Sequence, residues 1–168
     1  MPITPFHFGP GILIKSVFSR RFSFRIFVLS NIIIDLETLY FILTNQWPLH
    51  RFFHTYLGAT IIAIGCIMVG SPICYQLTNI WNIIFKNLPI NSEKISTLAV
   101  IIAAFVGTYS HIFLDSMMHR DLLPFSPWTN LNGLLYIVSY EQLHLFCLLA
   151  GVIGITIYWI TKNKQHLI

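Results

Sequence analysis

Four long apolar stretches restrict the fold of this 168-residue sequence more than any other feature. They cover approximately Phe24–Leu43, Leu57–Leu77, Ile95–Met118 and Glu141–Ile160. Each approaches the roughly 20 residues that a helix needs to cross the hydrocarbon core of a bilayer. A helix satisfies its backbone hydrogen bonds internally, so it is the default structure for a segment in lipid. We therefore predict an all-α, polytopic membrane helical bundle with four spanning helices, forming a single domain over residues 1–168.

The composition agrees with a membrane location and argues against a nucleic-acid partner. Hydrophobic residues make up 55% of the chain and charged residues only 10%, whereas soluble domains carry about 25% charged residues. The net charge of +4 comes from basic residues that lie mainly between the apolar stretches. Basic residues in that position set membrane orientation, and we expect no nucleic acid as a partner. The sequence identifies no protein partner.

The distribution of basic residues predicts the orientation. With the N-terminus in the cytoplasm, the outer loops contain only Arg51 and Arg120. The cytoplasmic segments then contain eight basic residues: Lys15, Arg20, Arg21, Arg25, Lys86, Lys94, Lys162 and Lys164. This excess favours cytoplasmic termini. The amphipathic segment Trp81–Lys86 is predicted to lie on the membrane surface.

Ionisable residues are concentrated at one end of the predicted bundle. An Asp at the centre of a span costs at least ~2.5 kcal/mol on insertion scales, so each such residue requires a reason. Four of the six acidic residues fall in or beside the outer halves of the spans: Asp35, Glu37, Asp115 and Glu141. Five of the seven histidines map to the same end: His50, His54, His111, His119 and His144. This one-sided distribution predicts a polar site near one membrane face.

Helical spacing links His111 to Asp115. Residues four apart lie on one face of a helix, so this imidazole and carboxylate can reach one metal ion or two adjacent ones. The spacing continues to His119, and His50 and His54 repeat it, while Glu141 and His144 are three residues apart. We expect Asp35, His54, His111 and Asp115 to converge.

Structural roles remain as alternatives to metal binding. His111 and Asp115 can instead join helices through hydrogen bonds, and His50 and His54 can face water. Asp35 can pair with Asn31 or with another helix. Glu37 lies about 200° from Asp35 on an ideal helix, so both face one site only if that helix is distorted.

Four motifs in chain order resemble those of the YdjM-like family of inner-membrane metal-dependent hydrolases. The first is an N-terminal His followed by glycines, and the second is an acidic pair, Asp35-Leu36-Glu37. The third is His50-Arg51-Phe52-Phe53-His54-Thr55. The fourth is Gly107-x-x-Ser110-His111-x-x-x-Asp115 with a later Pro127-Trp128. Two details depart from the family pattern: Glu37 replaces the usual Asp, and His50 and His54 are four apart instead of five.

The resemblance implies a site and a type of chemistry. The family is distantly similar to zinc-dependent phospholipases C and single-strand nucleases, which are helical proteins with multinuclear zinc sites. It implies six metal ligands: His7, Asp35, His54, His111, Asp115 and His119. Glu37 and His50 fall in matching motifs, and Glu141 and His144 form a looser, reversed match to the last ligand pair. The implied location is the extracytoplasmic side of a bacterial inner membrane.

The expected function is hydrolysis of a phosphoester in a lipid or lipid-linked substrate. One to three divalent ions would activate water for in-line displacement. Zn²⁺ suits mixed His and carboxylate ligands, with Mn²⁺ or Fe²⁺ as alternatives. Asp35 and Asp115 are the expected catalytic carboxylates, and Arg51 is expected to clamp a phosphate oxygen. The competing hypotheses are a metal or proton transporter and a non-catalytic membrane scaffold.

His7 raises a topological conflict, because the charge count places the N-terminus on the side opposite the other ligands. If His7 is a ligand, the segment after it must return through the membrane as a short re-entrant helix, Gly11–Ser19. Pro10 fits the first turn of a helix, and the adjacent glycines permit close backbone approach. We predict that this segment delivers His7 to the site.

Overall fold

The computed structural model describes residues 4–90 and 95–165, which form one short 3₁₀ helix and five α-helices. The 3₁₀ helix spans Thr4–His7, and the α-helices are α1 Phe8–Val17, α2 Phe24–Leu43, α3 Tyr56–Ile84, α4 Thr97–Ser116 and α5 Tyr140–Gln165. Four of them, α2 to α5, are long and apolar enough to cross a membrane. The predicted all-helical bundle with four spanning segments is confirmed.

The helix boundaries differ from the predicted spans mainly at the end of α3. This helix runs seven residues past Leu77, because no Gly or Pro interrupts the chain between Leu77 and Ile84. The first four residues of the segment Trp81–Lys86, predicted to lie on the membrane surface, belong to the end of α3. Lys94, which the charge count assigns to the cytoplasmic end of the third span, lies outside the described residues.

Side-chain caps fix where three of the spanning helices begin. The hydroxyls of Ser23, Thr55 and Ser96 accept hydrogen bonds from backbone N–H groups in the first turns of α2, α3 and α4. Each cap satisfies one of the donors that a helix N-terminus leaves unpaired. The cap at Thr55 matters for the site, because it directly follows His54.

The central helix of the bundle is α4, which packs against both α2 and α3. In the apolar 18-residue stretch of α4, half of the residues are buried, compared with 28% in that of α2 and 39% in that of α3. At Gly107 a side-chain carbon would lie 2.1 Å from the Ser30 hydroxyl of α2, so glycine permits this close contact. The approach brings His111, one turn further along α4, against α2.

The N-terminal helix α1 packs mainly against α5, the last helix of the chain. A side-chain carbon at Gly9 would lie 1.9 Å from the carbonyl oxygen of Cys147, and one at Gly154 would lie 2.6 Å from the amide nitrogen of Leu13. Small residues at helix contacts in membranes allow such close packing. Because Gly9 follows His7 by two residues, this contact also determines where His7 lies.

The connection between α4 and α5 is held by Asn132. Its side-chain amide donates to the carbonyls of Ser116 at 2.8 Å and Leu122 at 3.2 Å. Tyr56 at the start of α3 donates its backbone N–H to Pro124 of the same connection at 2.9 Å. The segment that contains His119 and Asp121 is thereby fixed to the ends of two helices.

We expect Gly9→Ala to destabilise the protein by about 1 to 3 kcal/mol, the usual cost of overpacking a tight contact. The added carbon meets backbone, which cannot rotate away. The measurement is the free energy of unfolding in detergent. Gly65→Ala is the matched control, since no atom lies within 4 Å of the added carbon there. An equal effect of the two substitutions would contradict the close contact of α1 with α5.

Candidate metal centre

Four side chains from three parts of the chain converge at one end of the bundle. Asp35 comes from α2, His54 from the residue before the α3 cap, and His111 and Asp115 from α4. Their ligand atoms all lie within 4.8 Å of one another. His111 Nε2 lies 3.3 Å from Asp35 Oδ1 and 3.2 Å from Asp115 Oδ2. The convergence predicted from spacing is confirmed, and these four residues are defined here as the primary cluster.

His7 joins the primary cluster from the N-terminal 3₁₀ helix. Its Nε2 lies 3.2 Å from Asp115 Oδ1, and its ring stacks on that of His111 with centroids 4.5 Å apart. The residue is only 3% exposed. A short helix does follow His7, as predicted, although it begins at Phe8 instead of Gly11. The structure therefore places His7 beside the other expected ligands.

A second group lies next to the primary cluster and comprises His50, His119 and Asp121, whose ligand atoms also lie within 4.8 Å of one another. The rings of His50 and His119 stack with centroids 4.2 Å apart. His119 Nε2 lies 4.0 Å from Asp115 Oδ1. His119 keeps this position although α4 ends at Ser116, because its backbone N–H still bonds to the Asp115 carbonyl.

Each of three histidines is oriented through its Nδ1 atom by a different acceptor. His111 Nδ1 lies 3.0 Å from Asn31 Oδ1, His54 Nδ1 lies 3.2 Å from Glu37 Oε2, and His50 Nδ1 lies 3.0 Å from Asp121 Oδ2. Asn31 is fixed in turn, because its amide donates to the Phe27 carbonyl. A proton on Nδ1 leaves Nε2 with a lone pair, which is the arrangement that metal-binding histidines use.

Three buried atoms in the cluster lack hydrogen-bond partners: His7 Nδ1, His111 Nε2 and Asp115 Oδ1. His111 Nε2 lies within 3.3 Å of two carboxylate oxygens, yet none of these contacts has hydrogen-bond geometry. Unsatisfied buried polar atoms are costly and require an explanation. Two of these atoms, His111 Nε2 and Asp115 Oδ1, belong to the primary cluster, and a bound cation would satisfy both. The residues present therefore fit a divalent metal.

Burial sets the protonation of the second group. Burial, together with the nearby His54 and His119, lowers the pKa of His50 to about 4. It also lowers the pKa of His119. For Asp121, burial acts in the opposite direction, but the contacts with His50 outweigh it and lower the pKa. At neutral pH, His50 and His119 are therefore uncharged and able to donate a lone pair to a metal.

His54 differs from the other two loop histidines. Burial disfavours its charge, but the neighbouring Asp35 and Glu37 outweigh burial and raise its pKa above the ordinary value. A metal ion binding at Nε2 must therefore displace a proton whenever His54 is protonated.

A cavity of about 540 Å³ opens beside the primary cluster. Asp35, Asp115, His50, His119 and Asp121 contribute to its wall, and most of the remaining wall is apolar. In the part of the chain that the structure describes, no Lys or Arg lines this cavity. A small molecule in the cavity can thus contact both groups of histidines and carboxylates.

Four predicted site residues belong neither to the primary cluster nor to the second group: Glu37, Arg51, Glu141 and His144. Glu37 contacts the outer nitrogen of His54 and accepts backbone N–H bonds from Arg51 and Phe53, so it supports a ligand instead of facing the cluster. It contacts His54 from the side opposite Asp35, which explains how residues 200° apart serve one site. Glu141 is exposed and accepts from Ser139, and His144 stacks on Tyr140.

Arg51 is held within the loop before α3. Its guanidinium lies 3.6 Å from the centre of the Phe41 ring, and it donates to the Pro48 carbonyl and to Gln46. These contacts leave the predicted phosphate-clamping role of Arg51 without structural support.

Sequence reasoning missed two functional residues, Asn31 and Asp121. The sequence suggests Asn31 only as a partner for Asp35, whereas its side chain accepts from His111. Asp121 lies in a connection, where an acidic residue is ordinarily solvated. The pattern His119-Arg120-Asp121 was the available signal, but its relation to His50 depends on tertiary contacts across 71 residues.

Comparisons of the chain with family models, with curated proteins and with solved structures find no match. The resemblance to the YdjM-like family therefore stays a prediction from four short motifs. We derive the function from the geometry of the two groups and the cavity.

We expect the purified protein to contain a divalent metal, and both His7→Ala and His111→Ala to lower the bound metal substantially. The reason is that both imidazoles contact Asp115 within 3.2 Å. The measurement is elemental analysis of protein purified without chelators. Glu141→Gln is the control, because Glu141 is exposed. Full metal content in His7→Ala would exclude His7 from the site.

We expect Asn31→Ala to weaken metal affinity about 10- to 100-fold, as loss of an outer-shell partner does. The substitution removes the acceptor that fixes the His111 ring without removing a ligand. Affinity is measured by competition with a chelator of known strength. The exposed Asn130→Ala serves as the control. Unchanged affinity would show that Asn31 does not orient a metal ligand.

Proposed function

We propose that this protein is a membrane-bound, metal-dependent hydrolase that cleaves a phosphoester of a lipid or lipid-linked substrate. The observation that carries the proposal is the convergence of Asp35, His54, His111 and Asp115 at one end of an apolar bundle. Mixed imidazole and carboxylate donors suit Zn²⁺, with Mn²⁺ or Fe²⁺ as alternatives. The distribution of Lys and Arg favours the extracytoplasmic face as its location, and the resemblance to the YdjM-like family implies a bacterial inner membrane.

The residues of the primary cluster have distinct roles in this proposal. His54, His111 and Asp115 are almost fully buried and would hold the cation, with His7 completing the set. A divalent cation in such a site acidifies water and withdraws charge from phosphoryl oxygens. Asp35 has a side chain that is 23% exposed and lines the cavity, so it is positioned to accept a proton from attacking water.

Glu37 and Asn31 would act through the histidines that they contact. Each accepts at the Nδ1 atom of a histidine whose Nε2 faces the cluster. Fixing both rings before substrate binds reduces the reorganisation that the reaction requires. They are positioning residues, since neither faces the cavity centre.

The proposal favours a hydrolase over a transporter because the buried histidine and carboxylate side chains that the structure describes, which are His7, His50, His54, His111 and Asp115, lie at one end. Next to the cluster, the buried core of α2, α3 and α4 is formed by apolar side chains, among them Ile26, Phe27, Cys66, Val100 and Ala103. A transport pathway requires polar groups along the depth of the membrane. A one-sided site is instead suited to chemistry on molecules that remain at one face.

We expect the zinc-loaded protein in detergent micelles to hydrolyse a phosphoester, and Asp115→Asn to lower kcat about 100-fold or more. Asp115 contacts four imidazoles of the site within 4.0 Å, so its loss disrupts the whole arrangement. Release of phosphate is measured before and after removal of metal, with Zn²⁺ added back.

Glu141→Gln, at an exposed position, should retain full activity. Activity that survives in Asp115→Asn, or that does not depend on metal, would attribute the turnover to a contaminant and defeat the proposal. Failure of the protein to bind metal would also defeat the proposed function.

A further inference from the structure

The cavity beside the primary cluster has one long apolar wall, formed by α2. Ile32, Leu36, Leu39 and Ile42 line it at intervals of three or four residues, so they form one stripe along the helix. Asp35 and Thr38 of the same helix line the cavity beside them. The stripe runs beside the metal ligands and continues past them in both directions along the helix.

The same stripe faces away from the protein core. Ile32 is 44% exposed, Leu36 is 53% exposed and Leu39 is 48% exposed, and all three lie within a helix long and apolar enough to span the membrane. Pro5 and Phe8 of the N-terminal segment also line the cavity. Because α1 packs mainly on α5 and only slightly on α2, it leaves Ile32, Leu36 and Leu39 of the stripe exposed.

The charges of the cavity restrict what its polar end can attract. Asp35, Asp115 and Asp121 line it, and no Lys or Arg does so among the described residues. An anionic head group would be repelled by these carboxylates unless a divalent cation is bound. The cation would supply attraction for the head group, and the apolar wall would supply binding energy for an attached hydrocarbon chain.

We propose that the cavity is a lateral binding site for an amphiphile that carries a phosphoester head group and a long hydrocarbon chain. The head group lies at the primary cluster, and the chain lies along Ile32, Leu36 and Leu39 while remaining in contact with lipid. The substrate enters from the bilayer along the exposed residues of this stripe. This inference rests on the proposed function, because the head group requires the bound cation. A volume of about 540 Å³ lies within the usual range for small-molecule sites.

The test uses two phosphonates, which mimic the head group but cannot be hydrolysed. The protein is loaded with Co²⁺, whose visible absorption changes when a ligand reaches the metal. Dodecylphosphonate and methylphosphonate are titrated separately, at one fixed concentration of detergent micelles. We compare the wild type with Leu36→Trp, which fills the middle of the stripe, and with Leu148→Trp. Leu148 is the matched control, since it is 56% exposed on α5 and does not line the cavity.

We expect the wild type and Leu148→Trp to respond to dodecylphosphonate at a concentration at least about tenfold lower than to methylphosphonate. Leu36→Trp should lose most of this preference while keeping its response to methylphosphonate. Partition of the long chain into micelles is the same for all three proteins, so it cancels in the comparison.

The possible failures separate the two proposals. The lateral binding site is overturned if the preference for dodecylphosphonate persists unchanged in Leu36→Trp, or if the wild type lacks that preference. Either result leaves the metal-dependent hydrolase intact. If Co²⁺ binds but neither phosphonate changes its spectrum, the binding of a phosphoester head group at the metal is excluded, and the lateral binding site with it. Absence of Co²⁺ binding overturns the metal centre itself.

Discussion

The carboxylate of Asp115 is the interaction on which the rest of the site depends. Its Oδ2 faces His111 and His54, and its Oδ1 faces His7 and His119. A carboxylate this deeply buried in an apolar bundle is tolerated only when it is matched by charge or by hydrogen bonds. Four imidazoles surround the Asp115 carboxylate for this reason. They come from the N-terminal segment, from the loop before α3, from α4 itself and from the connection after α4.

Support behind the ligands is as important as the ligands themselves. Asn31, Glu37 and Asp121 each engage the rear nitrogen of one histidine, and each is itself held by backbone groups. The three supports come from different places in the chain but solve the same problem, which is to fix a ring whose front nitrogen must keep its lone pair. The three rings are thereby held from behind, and the cavity opens beside them.

The sequence predicted the helices and the pair on α4 because both depend on local periodicity. Long apolar stretches specify spanning helices, and a four-residue interval specifies that His111 and Asp115 share a face. The partners of the histidines depend on long-range packing, which periodicity does not encode. Asn31 looked like one more polar residue in a span, and Asp121 looked like a solvated loop acid. Glu141 and His144 also have helical spacing, but Glu141 is exposed and His144 packs against Phe6 and Tyr140.

The pairing of α1 with α5 has a consequence for how the protein is made. The first helix of the chain is held by the last one, through contacts at Gly9 and Gly154 that no other helix replaces. During synthesis α1 emerges long before α5 does, so the packing of Gly9 against Cys147 forms only after α5 has been inserted. The polar side chains of α2 and α4 can meet earlier, once α4 has been inserted. A chain truncated before α5 would therefore lack the contacts that hold the helix following His7.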